Sequence, residues 1–124
     1  MTKTYDKNDR TVTEQELITQ AVLDYYEGWF DGNAARMERA VHPNLVKRRA
    51  AEELGVTTAE RMIELTGQGA GKEDAADRRL EIDVADVHED IASVTVRAAP
   101  YYEYLHLVRT RDGWKIANVL FRPR

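Results

Sequence analysis

The chain has 124 residues, of which 43% are hydrophobic and 32% are charged, and it has no cysteine; this fits one domain without disulfides or thiolate metal sites. Its formal net charge of -4, with bases scattered among acids, gives no basic footprint for nucleic acid or an anionic membrane. No apolar run approaches the ~20 residues that a membrane span needs, so a cytoplasmic protein is expected.

The first part of the chain predicts a short arm followed by a helix. The polar residues 1–12 predict a flexible arm ahead of a single domain over residues 13–124. Thr13 followed by Glu16 forms a capping box, in which each side chain satisfies a free backbone amide. Apolar residues then recur at helical spacing, which predicts a first helix over about 13–31.

Turn signals divide the next residues into a second helix and an extended segment. Gly32 is expected to end the first helix in the left-handed conformation. Asn33 can cap a helix over about 34–41, and Pro43 stops it because a proline pushes the preceding residue out of the helical region. Residues 44–50 are predicted to form a short strand.

A second capping box, Thr57 with Glu60, predicts a helix over about 58–66. The glycine-rich stretch after it does not indicate a nucleotide site, since it follows a helix rather than a strand. We expect residues 67–77 to form a flexible connector.

The C-terminal half predicts an antiparallel meander of four strands. Apolar and polar residues alternate there, and Asp112-Gly113 is a strong hairpin signal because glycine accepts the positive φ of the turn. The predicted strands are 79–87, 91–99, 101–110 and 114–121. Helices first and strands later indicate an α+β fold with the helices on one face of the sheet.

The strand over 101–110 has notable side chains on both of its faces, because side chains alternate across a strand. One face has Tyr101, Glu103, Leu105 and Leu107, and the other has Tyr102, Tyr104, His106 and Val108. The sequence leaves open which of the two faces is interior.

Four short motifs lie along the predicted elements: Tyr26-Glu27-Gly28-Trp29 with Asp31-Gly32, His42-Pro43, Tyr102-Glu103-Tyr104-Leu105 and Gly113-Trp114-Lys115-Ile116. Together with the order of the elements, they resemble the nuclear transport factor 2-like superfamily. Within it they are similar to the "putative lumazine-binding" and polyketide-cyclase-like branch, and the resemblance covers almost the whole chain from Thr13.

This resemblance implies a cone-shaped fold in which a curved antiparallel sheet wraps around the N-terminal helices and encloses a pocket. It also implies a homodimer with sheets packed back to back. The superfamily includes isomerases, cyclases and dehydratases as well as non-catalytic modules, so the site must decide between two functions. One is an acid/base enzyme without a cofactor that acts on a small hydrophobic cyclic molecule. The other is a binding or dimerisation module.

Glu103 is the first candidate for a catalytic base. If it faces a pocket beside Tyr101, desolvation would raise its pKa into the range that suits acid/base work. The alternative is a carboxylate that pairs with an arginine or faces solvent at a sheet edge. Tyr101, on the same face, is a candidate for substrate binding.

Three further polar residues are candidates. His42 lies where a helix ends and the next segment enters the sheet, so it could act as a base in the pocket or cap the helix C-terminus. An inward Arg48 would bind a carboxylate or phosphate, although charge runs usually face solvent. Asn118, in the last strand, is a candidate polar group in the cavity.

The aromatic residues allow two interpretations. In enzymes of the resembled superfamily a first-helix tyrosine can polarise a substrate carbonyl, which makes Tyr26 a candidate catalytic residue and Tyr25 and Trp29 candidates for binding. Aromatic residues at helical spacing also form cores. Tyr104 and His106 line the pocket if their face is interior, and otherwise belong to the dimer interface. The three histidines lie in separate elements, so no metal site is expected.

Overall fold

The computed structural model describes residues 3–5 and 11–124, with side chains from Val12 onwards. Helices come mainly first and strands mainly later. The elements in chain order are β1 (Lys3–Tyr5), β2 (Thr11–Thr13), α1 (Glu14–Asp31), α2 (Ala34–Ala40), β3 (Val41–Arg49), β4 (Gly55–Thr58), α3 (Ala59–Gly67), a 3-10 helix (Ala70–Asp74), β5 (Leu80–His88), β6 (Ile91–Ala98), β7 (Tyr101–Thr110) and β8 (Gly113–Pro123).

The N-terminal arm is only partly within the described residues. Its β1 pairs antiparallel with β2, with Lys3 opposite Thr13. The predicted flexibility of residues 1–2 and 6–10 concerns positions outside the described residues.

The predicted capping residues fix both ends of α1. The Thr13 hydroxyl accepts a hydrogen bond from the Glu16 amide at 3.1 Å, and Gly32 ends the helix in the left-handed conformation with φ of 67°. Asn33 then caps α2 by accepting from the Arg36 amide at 3.1 Å. These side-chain caps satisfy amides that the helix leaves free, so the sequence predictions for both starts are confirmed.

The third helix begins one residue later than predicted. Thr58, not Thr57, accepts the hydrogen bond from the Arg61 amide, at 3.2 Å. Thr57 belongs to β4, where it pairs with Lys47 of β3. Both threonines lie in β4, and Thr58, its last residue, directly precedes the helix and takes the N-cap position.

The prediction of an α+β fold with a curved sheet is confirmed. Six strands follow the order β4-β3-β8-β7-β6-β5, and the meander from β5 to β8 is antiparallel as expected. The sheet as a whole is mixed rather than antiparallel, because β3 pairs parallel with β8. The inner face of this sheet packs on α1 and on the other helices to form a single core.

A β-bulge in β8 changes which residues point inward. His106 pairs with Asn118 and Leu107 pairs with Ile116, so Ala117 is an extra residue on β8. The bulge shifts the alternation by one residue: Trp114 and Ile116 are buried before it and Val119 after it. Asn118 is thereby placed on the exposed outer face.

Two buried carboxylates attach α1 to the rest of the domain. Glu14 accepts hydrogen bonds from Arg109 at 3.0 Å and from the indole of Trp114 at 2.6 Å. Buried carboxylates are tolerated when such donors satisfy both oxygens.

Asp24 is the second of these carboxylates. Arg36 Nη2 donates to its Oδ1 at 2.9 Å, and Arg39 Nη2 donates to the same oxygen at 3.1 Å. Burial acts to raise the pKa of Asp24, but hydrogen bonds from Arg39 and Arg36 outweigh it and hold that pKa below its ordinary value.

Candidate functional site

A buried carboxylate lies at the centre of the inner sheet face. Glu103 of β7 is 0% exposed, and the hydroxyl of Tyr26 on α1 donates a hydrogen bond to its Oε2. The Nζ atom of Lys47 on β3 lies 3.3 Å from its Oε1. Oε1 accepts no hydrogen bond from the described residues, so the contact with Lys47 is an ion pair without hydrogen-bond geometry.

Lys47 is enclosed almost as completely, with 8% exposure. Its ammonium nitrogen donates a hydrogen bond to the hydroxyl oxygen of Tyr25 at 2.6 Å. Four aromatic rings surround the nitrogen, with their centroids 4.4 to 5.8 Å away; they belong to Phe121, Tyr25, Trp29 and Tyr101. At these distances the ring faces attract a cation, so the enclosure favours positive charge at Nζ.

Burial and contact act on this pair in opposite directions. Burial raises the pKa of Glu103 to about 8. Burial also lowers the pKa of Lys47 to about 7, against the charge of Asp74, which raises it. Desolvation thus favours the neutral acid and the neutral amine, whereas the 3.3 Å contact favours the two charged forms. Burial thus moves the pKa values of both groups towards neutral pH.

The outer end of the site is covered by the 3-10 helix. Oδ2 of Asp74 accepts hydrogen bonds from the Tyr101 hydroxyl at 2.6 Å and from the Trp29 indole at 3.1 Å. Gly71 packs on Trp29 so closely that an added Cβ would lie 2.2 Å from the Trp29 carbonyl oxygen. The segment therefore covers the ring enclosure of Lys47, and we call these contacts of Asp74 and Gly71 the cover.

The structure brings together five of the residues that the sequence singled out. Glu103 and Tyr101 lie on the inner face of β7, and Tyr25, Tyr26 and Trp29 lie on α1. Both tyrosines of α1 point inward: Tyr25 reaches Lys47, and Tyr26 reaches Glu103. Their functional roles stay predictions, but their placement around one carboxylate is a property of the fold.

His42 is not part of this cluster by any described contact. Its Nδ1 accepts a hydrogen bond from the amide of Asn44, at 3.0 Å, within β3 itself. It does not cap α2 either, because that helix ends at Ala40 and Val41 is its C-cap. The strand begins directly after the helix, which carries the histidine away from both predicted roles.

Four other candidates for substrate binding lie on the exposed side and not in the interior. Tyr104 and His106 are on the outer face of β7, Asn118 follows the bulge onto the outer face of β8, and Arg48 is on the solvent side of β3. The inward member of the Lys47-Arg48-Arg49 run is Lys47. Arg48 takes the solvent-facing alternative, since strand alternation sends the side chains of neighbours to opposite faces.

Sequence reasoning missed Lys47 and Asp74. The weak signal for Lys47 was its place two residues after Leu45, which is buried on the same face. Val46 made the opposite alternation equally plausible. Asp74 sits in a run of charged residues, and nothing in that run distinguishes it.

Surface depressions lie elsewhere on the molecule. Four surface pockets formed by the described residues are lined by side chains other than Lys47 and Glu103. One is a groove of about 410 Å³ on the outer sheet face, where Ile91, His106 and Asn118 contribute to its walls.

The described residues contain neither a metal-binding cluster nor a helix that could span a membrane. Across residues 3–5 and 11–124, no group of three or more histidine, cysteine or acidic side chains is arranged to hold a metal ion. In that same part of the chain, no helix combines the length and the apolar character that crossing a membrane requires.

Solved structures with the same architecture are numerous. A nuclear transport factor 2-like protein of unknown function from Silicibacter pomeroyi superimposes with a TM-score of 0.69 at 19% identity, covering 91% of this chain and 100% of that one. A ketosteroid isomerase-like protein from Erwinia carotovora atroseptica gives a TM-score of 0.66 at 17% identity, covering 89% and 95%. At these identities the likeness concerns the fold alone.

A comparison of the sequence with family models identifies the family. A search of curated proteins found no match. The family model described as "Putative lumazine-binding" matches residues 13–122, which is nearly the whole chain. The chain therefore belongs to this putative lumazine-binding family, and it has the fold of nuclear transport factor 2-like proteins.

Proposed function

We propose that this chain binds a small hydrophobic cyclic carbonyl compound at the Lys47–Glu103 site and catalyses proton transfer on it without a cofactor. The family description, "Putative lumazine-binding", and the ketosteroid isomerase-like neighbour are consistent with a small-molecule pocket. Isomerase, cyclase and dehydratase reactions all need one base and one group that holds an oxygen. Both kinds of group lie at this site.

The proposal rests mainly on the burial of Glu103 and on the missing hydrogen bond of its Oε1. A fully buried carboxylate with one oxygen lacking a hydrogen bond is costly to the fold. Its raised pKa, about 8, suits a base that works near neutral pH. A ligand proton directed at Oε1 would use the hydrogen-bonding capacity that the protein leaves unfilled.

The neighbouring groups supply the remaining roles. Lys47, 3.3 Å from Oε1, would stabilise negative charge that develops on a ligand oxygen. The Tyr26 hydroxyl fixes the carboxyl group through Oε2. His42 and Asn118 have no part in this proposal, since their side chains lie away from the inner face.

Ligand entry requires the cover to open. The side chains of Tyr101, Trp29 and Phe121 are half-buried, and they separate Lys47 from solvent. Moving the 3-10 helix would break the two hydrogen bonds to Asp74 and expose the ring enclosure. Glycine at positions 69 and 71 gives that segment the backbone freedom that such a motion needs.

A second candidate function, a binding or dimerisation module, is favoured by the outer sheet face. Tyr104 is 54% exposed, Ile91 55% and Leu120 44%, and all three are large apolar side chains. A homodimer with its sheets back to back would cover them, since tyrosine and aliphatic side chains are common in such interfaces. This interface is compatible with the catalytic proposal as well.

Proton exchange into a cyclic ketone tests the catalytic proposal. The α-protons of 2-tetralone are followed by NMR in deuterated buffer with the wild type and with Glu103→Gln. We expect exchange at least ~100-fold faster with the wild type, the usual scale for a positioned base. Glu81→Gln, which changes an exposed carboxylate, is the control. Equal exchange rates for the wild type and Glu103→Gln would reject catalysis and leave the binding module.

A further inference from the structure

We propose that Lys47 forms a covalent imine with neutral aldehydes and ketones that enter its ring enclosure, an inference that rests on the proposed function. The site would thus hold its carbonyl ligand by a carbon–nitrogen bond and not only by polar contacts. Among the described residues, the amine is the nucleophile that lies at the centre of the cluster.

The surroundings of Nζ provide what imine formation needs. An acid must stand close enough to protonate the departing oxygen, and Glu103 Oε1 is 3.3 Å from the nitrogen. A polar atom must orient the amine, and the Tyr25 hydroxyl is 2.6 Å from it. The walls are aromatic, so a hydrophobic carbonyl compound is preferred over a charged one.

The reaction balances with groups already at the site. The Nζ lone pair forms a bond to the carbonyl carbon, and the carbonyl oxygen takes a proton from the carboxyl of Glu103. The resulting carboxylate removes one proton from the new N–C ammonium, which gives a neutral carbinolamine. The same carboxyl then returns that proton to the hydroxyl as water leaves. The products are water, a protonated imine on Lys47 and the Glu103 carboxylate.

The surroundings of Lys47 would stabilise the charges of the products. A protonated imine is a cation, and four ring centroids lie 4.4 to 5.8 Å from the nitrogen that would carry it. The carboxylate of Glu103 is its counter-ion. The starting pair of neutral amine and neutral acid is favoured by burial, which lowers the pKa of Lys47 to about 7.

Reductive trapping tests the inference on the full-length wild type. The protein is incubated at pH 7 with benzaldehyde and sodium cyanoborohydride, and the adduct is located by intact mass and peptide mapping. We expect one benzyl group on Lys47, added at least tenfold faster than on Lys72, an exposed lysine that serves as internal control. Burial lowers the pKa of Lys47 to about 7, so far more of its amine is neutral at pH 7 than for a lysine with the ordinary pKa of ~10.4.

Two variants test why Lys47 should be labelled faster than Lys72. Lys47→Arg should lose the adduct at this site, and Glu103→Gln should slow labelling of Lys47 at least tenfold because the acid is gone. Equal labelling rates at Lys47 and Lys72, or no adduct on Lys47, would overturn the inference. Both outcomes come from the wild type and do not depend on whether a variant folds.

Benzyl alcohol resembles benzaldehyde but cannot form an imine, so comparing the two compounds distinguishes the imine from the proposed function. Binding of benzyl alcohol and of benzaldehyde is measured by quenching of Trp29 fluorescence, with Trp29→Phe to identify the signal. If both compounds bind and 2-tetralone exchange depends on Glu103, but no adduct forms, the imine is rejected and the proposed function stands. If no adduct forms and 2-tetralone exchange is also the same with the wild type and with Glu103→Gln, both proposals fail.

Discussion

Lys47 and Glu103 meet although their strands are not neighbours. Lys47 lies on β3 and Glu103 on β7, with β8 between them, and Phe121 of β8 pairs with both Arg49 and Glu103 across the sheet. Their side chains close the 3.3 Å contact above the ring of Phe121. The curvature of the sheet brings these side chains together, so the pair depends on the assembled fold.

Removing Lys47 should leave an uncompensated buried carboxylate. We expect Lys47→Met to lower the free energy of unfolding at pH 8 by about 3–5 kcal/mol, the usual cost of breaking a buried pair. The loss should shrink in acid, because a Glu103 with a raised pKa contributes stability that is full below its ordinary value of 4.5 and is lost as pH rises through about 8.

Urea unfolding between pH 5 and pH 9 measures this, with the double variant K47M/E103L as the control. The double variant should be less destabilised than the two single variants added together, because no lone charge remains. Additive effects with no pH dependence would show that the two groups do not interact.

The two tyrosines of α1 should respond to pH in opposite ways. Tyr26→Phe removes the donor to the Glu103 carboxylate, so its cost of about 1–3 kcal/mol should grow above pH 8. Tyr25→Phe removes the acceptor of the Lys47 ammonium, so its cost should grow below pH 7. Unfolding curves for both variants at pH 6 and pH 9 provide the comparison. Parallel pH trends would contradict these assignments.

Asp24 should stabilise the fold mainly at neutral pH. Its pKa is lowered in the folded state, so its contribution is present above the ordinary value of 3.8 and is lost as pH falls through the folded value. We expect Asp24→Asn to cost roughly 1.5–3 kcal/mol at pH 7, the range for hydrogen bonds to charged groups, and less near pH 3.

The exposed pair of Arg61 and Glu64 supplies a matched comparison for Asp24. Glu64→Gln should change the free energy of unfolding by no more than ~1 kcal/mol, because water screens both charges. Thermal or urea unfolding at pH 7 and pH 3 tests both variants. A similar loss for the two would mean that burial of Asp24 adds nothing to its interaction with Arg36 and Arg39.

Gly71→Ala should disturb the cover of the site. The new Cβ would lie 2.2 Å from the Trp29 carbonyl oxygen and 2.6 Å from its ring, so backbone and ring must shift. We expect a loss of about 1–3 kcal/mol, as for other overpacked positions, with a change in Trp29 fluorescence. Gly55→Ala is the control, because its nearest neighbour, the Arg49 Cβ, is 3.5 Å away. Unchanged unfolding and fluorescence in Gly71→Ala would contradict the close packing.

Local signals in the sequence predicted most of the secondary structure. The caps at Thr13 and Asn33 and the turn at Gly113 are interactions between residues a few positions apart, so they can be read without the fold. Alternation along β7 placed Glu103 with Leu105 and Leu107, and this face is the buried one. The resemblance to the superfamily rested on the order of these elements.

The sequence indicated only some of the site residues. The residue types and the spacing marked Glu103 and the aromatic residues of α1 as candidates, whereas nothing marked Lys47, the partner of the carboxylate. The alternation of β3 permitted either Lys47 or Arg48 to face inward, and the parallel pairing with β8 selected Lys47. The bulge at Ala117 moved Asn118 to the outer face, and no local pattern marked it.

The sequence by itself determined the helices, the C-terminal strands, the α+β class and the grouping of Glu103 with Leu105 and Leu107 on one face of β7, because each of these follows from periodicity and from contacts between near neighbours. Which face of β7 is buried follows only from the packing of the sheet on the helices. Only the tertiary structure decided that Lys47 pairs with Glu103 and that Asp74 holds Trp29 and Tyr101 over them. Such contacts join residues 27 to 56 positions apart along the chain. They depend on sheet curvature and strand register, which are properties of the whole fold.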